Sequence, residues 1–470
     1  MKNQKPNIIF ILIDDMGWKD LGCYGSTFYE TPNLDKLAQE GMLFTDAYAA
    51  CPVCSPTRAS ILSGKYPATV GVTDWIDHGN VHPCKGKLMD APYIKYLPLT
   101  EKSIAASLKA GGYKTWHVGK WHLGKKPYYP ENHGFDVNIG GCSWGSPSRG
   151  YFSPYHIETM PDGPDGEYLT NRITDEAIQL IENNDDTPFF LNLWHYAVHT
   201  PIQSIESDIL KYEKKKKDMG LDALQEFEKG EYHPFEHKKD VPVIRRLIQS
   251  DPDYAAMIAN LDMNIGRLLD TLKKQGLEEN TMIVFTSDNG GLSTSEGSPT
   301  CNLPLNEGKG WMYEGGVREP LLIKWPGMIK PGTICDVPVT SPDFYPTFLE
   351  AADLALMPDQ HVDGVSFMPL LKGGDALERK AIYWHYPHYG NQGGSPASSI
   401  RMGDYKLIEF FEDGRLELYH LRDDIGETKN IASEHPDVTQ EMHEILVNWR
   451  ESIAAKIPLP NHPVLSAKTT

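Results

Sequence analysis

The pattern of apolar segments predicts an α/β protein with a large, mainly parallel central sheet, followed by a smaller α+β unit. Three observations carry this expectation. Apolar runs of strand length alternate with longer stretches of helical spacing over most of the 470 residues, as strand–helix crossovers require. Two runs, "NIIFILID" at 7–14 and "PFFLNLWHY" at 188–196, are apolar almost throughout, like strands covered on both faces. Near residue 370 the alternation stops, and strands separated only by polar turns take over.

Each element follows from local pattern. After the strand 7–14, "TPNLDKLAQEG" (31–41) reads as a helix with an Asn cap and a closing glycine. "SIAASLKAGG" (103–112) is a second helix, and "YKTWHVG" (113–119) the strand it feeds. "TDEAIQLIENN" (174–184) is a helix leading into the strand at 188–196. The segment 211–240, with "KKKK", scattered Glu and few aliphatics, reads as a solvated helical insertion. Residues 245–275 carry apolar positions at helical spacing, and "TMIVFTS" (281–287) is again a strand. "LLKGGDALERK" reads as a linker, so the division falls at about 375, giving units 1–375 and 376–470. The second unit takes an antiparallel, hairpin-built sheet from "SIRMGDYKLIEFF" and "GRLELYHL", with a terminal helix at 435–455.

Bulk properties narrow the class. The chain is long enough for one large core and a smaller one, and 40% hydrophobic with 10% aromatic residues describes a folded protein. The longest apolar run, "IIFILI" at 8–13, is too short to span a bilayer, so no membrane insertion is expected. "MKNQKPN" lacks the apolar core and cleavage site of a secretory signal. The expected location is cytoplasmic, or periplasmic or secreted if a signal peptide was removed. A formal charge of −19, from 64 acidic and 45 basic residues, argues against nucleic acid or an anionic membrane as partner. An anionic substrate would need a few local cations to capture it. The seven cysteines are odd in number and irregular in spacing, so they define neither a disulfide framework nor a zinc site.

In doubly wound sheets, ligands bind beyond the carboxyl ends of the strands. The strand 7–14 ends in Asp14 and Asp15. The strand 113–119 is followed by Lys120 and His122, the strand 188–196 by His195 and His199, and 281–287 by Asp288 and Asn289. Asp14, Asp15, Asp288 and Asn289 offer only oxygen ligands, the set that Ca²⁺ or Mg²⁺ prefers. Turn and cap duty is the other reading of such Asx pairs. His195, inside its strand end, reads equally as a core residue.

"ACPVCSPTRASILSGKYP" (50–67) adds a helix start. Ser55 can cap a helix whose first position is Pro56, and Gly64 can close it. Cys54 then sits at the positive end, which favours anions, and Arg58 can fold back toward it. Alternatively, Cys54 is a small buried hydrophobe and Arg58 a surface ion-pair former.

At this point the residues resemble a known family. "CSPTRASILSG" at 54–64 is similar to the Cys-X-Pro-X-Arg signature of the type I sulfatases. "PNIIFILIDDMG", "GYKTWHVGKWHLG", "FTSDNGG" and "GKGWMYEGGVREP" resemble further blocks of that family in order, over 6–320. "YKLIEFFEDGRLELYHLRDDIGETKNIA" resembles its C-terminal subdomain. The resemblance implies an alkaline-phosphatase-like α/β sandwich whose Cys54 is oxidised by a formylglycine-generating maturation enzyme to an aldehyde that hydrates to a gem-diol. It implies a Ca²⁺ (or Mg²⁺) ion held by Asp14, Asp15, Asp288, Asn289 and the side chain at position 54. It further implies that one diol oxygen attacks sulfur and the second hydroxyl is later deprotonated to expel sulfate. Arg58 would orient the diol, Lys120 and Lys309 clamp the sulfate, His122 serve as base, and His199 meet the leaving oxygen. Cys51 has no role in the pattern. Ser143 lies one residue out of register with a sulfate-contacting serine of some members and is left out of the site.

Specificity is expected from loops. "VTDWIDHGN" (72–80) brings Trp75, Asp77 and His78, and "HYPHYGNQGG" (385–394) brings His385, His388 and Asn391, groups suited to hydrogen-bonding and stacking on a sugar. These stretches resemble carbohydrate sulfatases, including those acting on galactose or N-acetylgalactosamine sulfates, which implies exo-removal of one sulfate from a glycan terminus. Three alternatives stand beside this: a phosphatase, phosphodiesterase or phosphonate hydrolase of the same fold; a catalytically silent glycan-binding protein; and a hydrolase using unmodified Cys54 as nucleophile.

Overall fold

The computed structural model describes residues 5–77 and 86–461. Among these, the largest sheet runs from edge to edge as Thr333–Cys335, Met42–Tyr48, Arg318–Lys324, Thr281–Ser287, Asn7–Ile13, Phe189–Trp194, Lys114–Gly119 and Val137–Ile139. Val339–Thr340 also pairs with Met42–Tyr48. From Thr281–Ser287 to Val137–Ile139 every neighbouring pair is parallel, while Arg318–Lys324 is antiparallel to both its neighbours. The sheet is mixed and mostly parallel, as the alternation of elements predicts.

Asn7–Ile13 is buried along its whole length, so both faces of the sheet centre are covered. Phe10 meets Trp194, Phe344 and Phe348 at ring separations of 6.3, 4.8 and 5.4 Å. The helix Pro252–Lys274 packs with Pro32–Glu40, Leu169–Glu182 and Glu206–Asp218, and a second group joins Cys54–Ser63, Ile104–Ala110 and Phe344–Ala351. Among the described residues no helix is long and apolar enough to cross a membrane.

Several local expectations change. The first helix is Pro32–Glu40, with Thr31 at the cap position. Asn33 lies inside it, donating its side-chain amide to Asp262 at 2.8 Å. Gly41 is not left-handed; a Cβ there would sit 2.3 Å from the Ile323 carbonyl oxygen, so close strand approach is what demands glycine. The helix expected at 174–184 begins earlier, at Leu169. The insertion is α-helical over Glu206–Asp218, with single 3₁₀ turns at Leu221–Ala223 and Glu236–Lys238; it continues as an antiparallel pair, Phe227–Tyr232 with Pro242–Arg246. Phe227–Tyr232 is largely exposed and so lacks an apolar alternation to reveal it; the cross-strand ion pair of Glu228 with Arg245 supports the register.

The C-terminal sheet has four antiparallel strands in chain order: Ile382–Tyr386, Ala397–Met402, Tyr405–Phe410 and Leu416–His420. The sequence reading missed the first. One side holds Ile400, Leu407 and Leu418 against Met442 and Leu446 of the helix Pro436–Ser452. The other packs Trp384, Ile408, Phe410 and Tyr419 with Tyr48, Val53, Met312 and Val317 of the large unit. A buried ionic seam runs through this junction. Lys406 Nζ lies 2.9 Å from both Glu314 and Glu427, Arg318 Nη2 2.7 Å from Asp46, and Arg401 Nη1 2.6 Å from Asp46. Burial pushes Glu427 up to about 8 despite Lys406. Glu314, against the same burial, is drawn down to about 2 by Lys406, Arg318 and Arg401.

Candidate active site

The parallel register brings four strand ends together. Ile13 pairs with Ser287, and beyond them Asp288 N donates to Ile13 O at 3.1 Å. Asp14 N donates to Ala197 O at 3.0 Å, Val198 N to Asp14 O at 2.8 Å, and Lys120 N to Trp194 O at 2.7 Å. Asp15 and His122 take left-handed φ values of 63° and 57°, the kind of local strain that a surrounding network must hold in place.

Arg58 is the hub. It is fully buried; its Nε donates to Asp288 Oδ2 at 2.8 Å, and Nη2 lies in ion-pair contact with the same oxygen at 2.7 Å. Nη1 donates to Lys120 O at 3.0 Å, and the guanidinium stacks 5.2 Å from the Trp194 ring. Lys120 Nζ reaches Asp14 Oδ2 at 2.5 Å, Lys309 Nζ reaches Asp15 Oδ2 at 2.7 Å, and Asn289 Nδ2 donates to Asp15 Oδ1 at 2.8 Å. Burial raises the pKa of Asp15, but Lys309, His199 and Lys120 more than offset it and hold the group well below the ordinary carboxyl range. Asp14 is raised well above that range, chiefly by burial and then by Asp288 and Asp15 against the pull of Lys120.

These residues fit a hard divalent cation. Donor atoms of Asp14, Cys54 and Asp288 lie within 4.8 Å of one another, and those of Asp14, Asp15 and His199 form a second such group. Asp14 Oδ1 and Asn289 Oδ1 are buried without a hydrogen-bond partner among the described residues. Crowded carboxylates plus two orphaned oxygens are what an oxygen-ligated cation would satisfy.

Cys54 is the first residue of the helix Cys54–Ser63, with Val53 at the cap position. Ser55 therefore does not cap; its hydroxyl donates to His122 O at 2.9 Å and accepts from Ile76 N at 3.2 Å. Gly64 does close the helix, in the left-handed conformation at φ 70°. Cys54 Sγ lies 3.3 Å from His122 Nδ1, while His122 Nε2 lies 3.2 Å from Ile76 O. A carbonyl only accepts, so Nε2 carries the hydrogen and Nδ1 turns its lone pair to the sulfur. Burial, reinforced by Lys120, holds the His122 pKa well below normal. Burial also raises the Cys54 thiol, which disfavours the thiolate a cysteine nucleophile needs.

His199 is neutral by the same logic. Nδ1 donates to Thr200 O at 2.8 Å, Nε2 accepts from Lys309 at 3.1 Å, and burial with the Lys309 charge lowers its pKa to about 4. His195 is wholly buried, both ring nitrogens lack partners among the described residues, and burial lowers it to about 3, so it is a core residue.

A cavity of about 440 Å³ opens over Cys54, His122, His199 and Lys309. Of the loop residues expected from sequence, Trp75, Asp77 and Asn391 line it. His385 and His388 do not: strand pairing turns His385 to Ser398 Oγ (2.6 Å) and Lys456 O (3.0 Å), and His388 is buried against Thr73 Oγ1 at 2.9 Å. His78 lies outside the described residues. Ser143, Trp144, Ser146, Ser148, Lys125, Thr200, Glu296 and Gln392 complete most of the lining. Extending the strand-end rule to Val137–Ile139 would have found 143–148; nothing in "STSEGSPT" singles out Glu296. A larger cavity of about 630 Å³, by Asp46, Arg318 and Arg401, abuts the ionic seam and contains none of these groups.

The sulfatase family model matches residues 6–354, and the model for the C-terminal part of N-sulphoglucosamine sulphohydrolase matches 307–452. A sulfatase of Formosa agariphila is 32% identical, covering 95% of this chain and 89% of its own. The N-acetylgalactosamine-6-sulfatase of Canis lupus familiaris is 31% identical over 86% of this chain and 71% of its own. The crystal structure of Ps i-CgsB in complex with k-i-k-neocarrahexaose superposes with a TM-score of 0.76 at 28% identity, covering 95% and 93% of the two chains.

Proposed function

Because this chain belongs to the sulfatase family and is a sulfuric ester hydrolase acting on sulfated carbohydrate, we propose that it removes one sulfate from the terminus of a galactose- or N-acetylgalactosamine-bearing glycan through a formylglycine made from Cys54. The fold is the alkaline-phosphatase-like arrangement that the family implies, a mixed central sheet with a separate antiparallel sheet. One observation carries the catalytic reading: position 54, at a helix start, faces the His122 lone pair on one side and the Asp14–Asp288 donor cluster on the other.

Hydrated formylglycine would supply the attacking oxygen, and a divalent cation, Ca²⁺ or Mg²⁺, held by Asp14, Asp15, Asp288, Asn289 and position 54 would polarise the sulfate and favour the ionised nucleophile. Arg58 keeps Asp288 and the helix start in fixed relation. Lys120 and Lys309 offer ammonium donors to sulfate oxygens. His122 Nδ1, free of a proton, can accept one from the side chain at position 54. His199 needs a proton on Nε2 to serve the leaving oxygen; a bound sulfate offsets the Lys309 charge that keeps it neutral, which ties that protonation to substrate binding. Residues 1–375 are the proposed catalytic unit, and 376–470 a subdomain that completes the pocket through Asn391.

Peptide mass spectrometry of residues 50–65 from the native host tests conversion: an aldehyde at Cys54 supports the reading, and an intact thiol in active protein overturns it. A panel of sulfated mono- and disaccharides, with aryl sulfate and aryl phosphate compared in one preparation, tests the substrate. Faster phosphate than sulfate turnover would assign the chain to phosphoryl chemistry instead.

A further inference from the structure

Lys309, His199 and Glu296 all line the cavity over Cys54, and Thr200 Oγ1, 3.2 Å from His199 Nδ1, links the histidine to Glu296. Glu296 holds a left-handed φ of 53° in a loop pinned by the insertion, where Arg246 N donates to Ser293 O at 2.9 Å and Arg246 Nε to Ser298 O at 2.5 Å. Glu296 Oε1 accepts from Asn391 Nδ2 at 2.9 Å and Gln392 Nε2 at 3.3 Å, and Oε2 from Thr200 Oγ1 at 3.3 Å. The carboxylate thereby fixes the rotation of both amides.

Each amide gives one N–H to Glu296 and leaves its oxygen without a protein donor. Among the described residues, Asn391 Oδ1 and Gln392 Oε1 are buried without a hydrogen-bond partner, on residues 5% and 2% exposed. The cavity continues past Thr200 and Glu296 into a second compartment of about 620 Å³, and its described lining, including Ser146, Ser148 and Asp251, contains no lysine, arginine or histidine. In the main cavity the one further lysine or arginine among the described lining residues is Lys125, 3.7 Å from Asp77.

A carboxylate flanked by two unpaired amide oxygens, with no cation lining the adjoining compartment among the described residues, favours hydrogen-bond donors. Sugar hydroxyls and acetamido N–H groups donate; sulfate and carboxylate only accept, and they add like charge beside Glu296. We infer that Glu296, Asn391 and Gln392 form a subsite for the hydroxyl-bearing, unsulfated flank of a singly sulfated neutral sugar. A second sulfate or a uronate carboxylate is rejected there. This rests on the sugar-sulfate reading above and adds which sugars are refused.

The test is a ratio taken within each enzyme, which cancels any general loss of activity. For N-acetylgalactosamine 6-sulfate and its 4,6-disulfate, the wild type is expected to favour the singly sulfated sugar in kcat/KM by about tenfold or more. Glu296→Gln narrows that preference by a similar factor, and Asn391→Ala, should the first variant fold poorly, narrows it by weakening the singly sulfated sugar. Equal turnover of both sugars by the wild type, or a preference unchanged in the folded variants, overturns the proposal. If neither sugar is hydrolysed the sugar reading fails on its own, and the same preference is then read from their inhibition constants against aryl sulfate turnover.

Discussion

Lys309 shows how a single side chain can couple two halves of a site. Its ammonium bridges Asp15 at 2.7 Å and His199 at 3.1 Å, and its backbone N–H donates to Gly291 O at 3.1 Å, so the loop itself is anchored. Burial opposes the charge, yet Asp15 above all holds the lysine protonated, with its pKa raised. Replacing it by alanine removes the proposed sulfate donor and releases His199 from the charge that keeps it neutral. Lys309→Ala is expected to lower kcat/KM by roughly 10²–10³-fold, measured on an aryl sulfate, with its far-UV circular dichroism unchanged. The same residue illustrates what local pattern conceals: "NEGKGWM" reads as a solvated loop, and only its resemblance to a family block marks Lys309 for the site.

At the scale of the element, the helix Cys54–Ser63 is set by its two ends. Gly64 stops it at φ 70°, and a Cβ there would fall 2.4 Å from His361 Cβ. Gly64→Ala therefore combines left-handed strain with a collision and should cost more than about 1 kcal/mol, read as a lowered urea midpoint. Such stops are legible in sequence because glycine takes the left-handed conformation without strain. The strand ends are legible for a different reason: fully buried parallel strands are long apolar runs, so Asp14, Lys120 and Asp288 stand out where polarity returns. His385 misled because it lies within the strand Ile382–Tyr386, whose existence a short aromatic stretch did not reveal. Glu296 gave no signal at all; its place depends on contacts with Thr200 and Asn391, about 95 residues away on either side.

Across the whole molecule, the two sheets are joined through buried charge as well as apolar packing. Lys406 is fully buried between Glu314 and Glu427, so Lys406→Met strands carboxylates without their cation and is expected to cost about 3–5 kcal/mol in global unfolding. Acid acts on buried histidines as well. Burial lowers His133 to about 4 and His385 to about 3, whereas the unfolded chain protonates near 6.5. Between those values the unfolded state binds more protons, so this stabilisation is complete above about pH 6.5 and drains away as pH falls. Carboxyls raised by burial, Glu427 to about 8 and Glu307 to about 7, have the opposite sign: their contribution is full below about pH 4.5 and is lost as pH rises through the folded values. His385→Gln should flatten the acid limb of a urea-midpoint profile between pH 6 and 4 and leave the alkaline limb alone. Finally, Cys54 is 3% exposed, at the floor of a cavity of about 440 Å³. A side chain so buried in the folded chain is out of reach of another protein's catalytic centre, so any chemistry performed on that thiol by another macromolecule has to precede closure. Ribosomal output and the speed of collapse then compete with the modifying partner, and slower synthesis in the same host should raise the fraction of competent molecules.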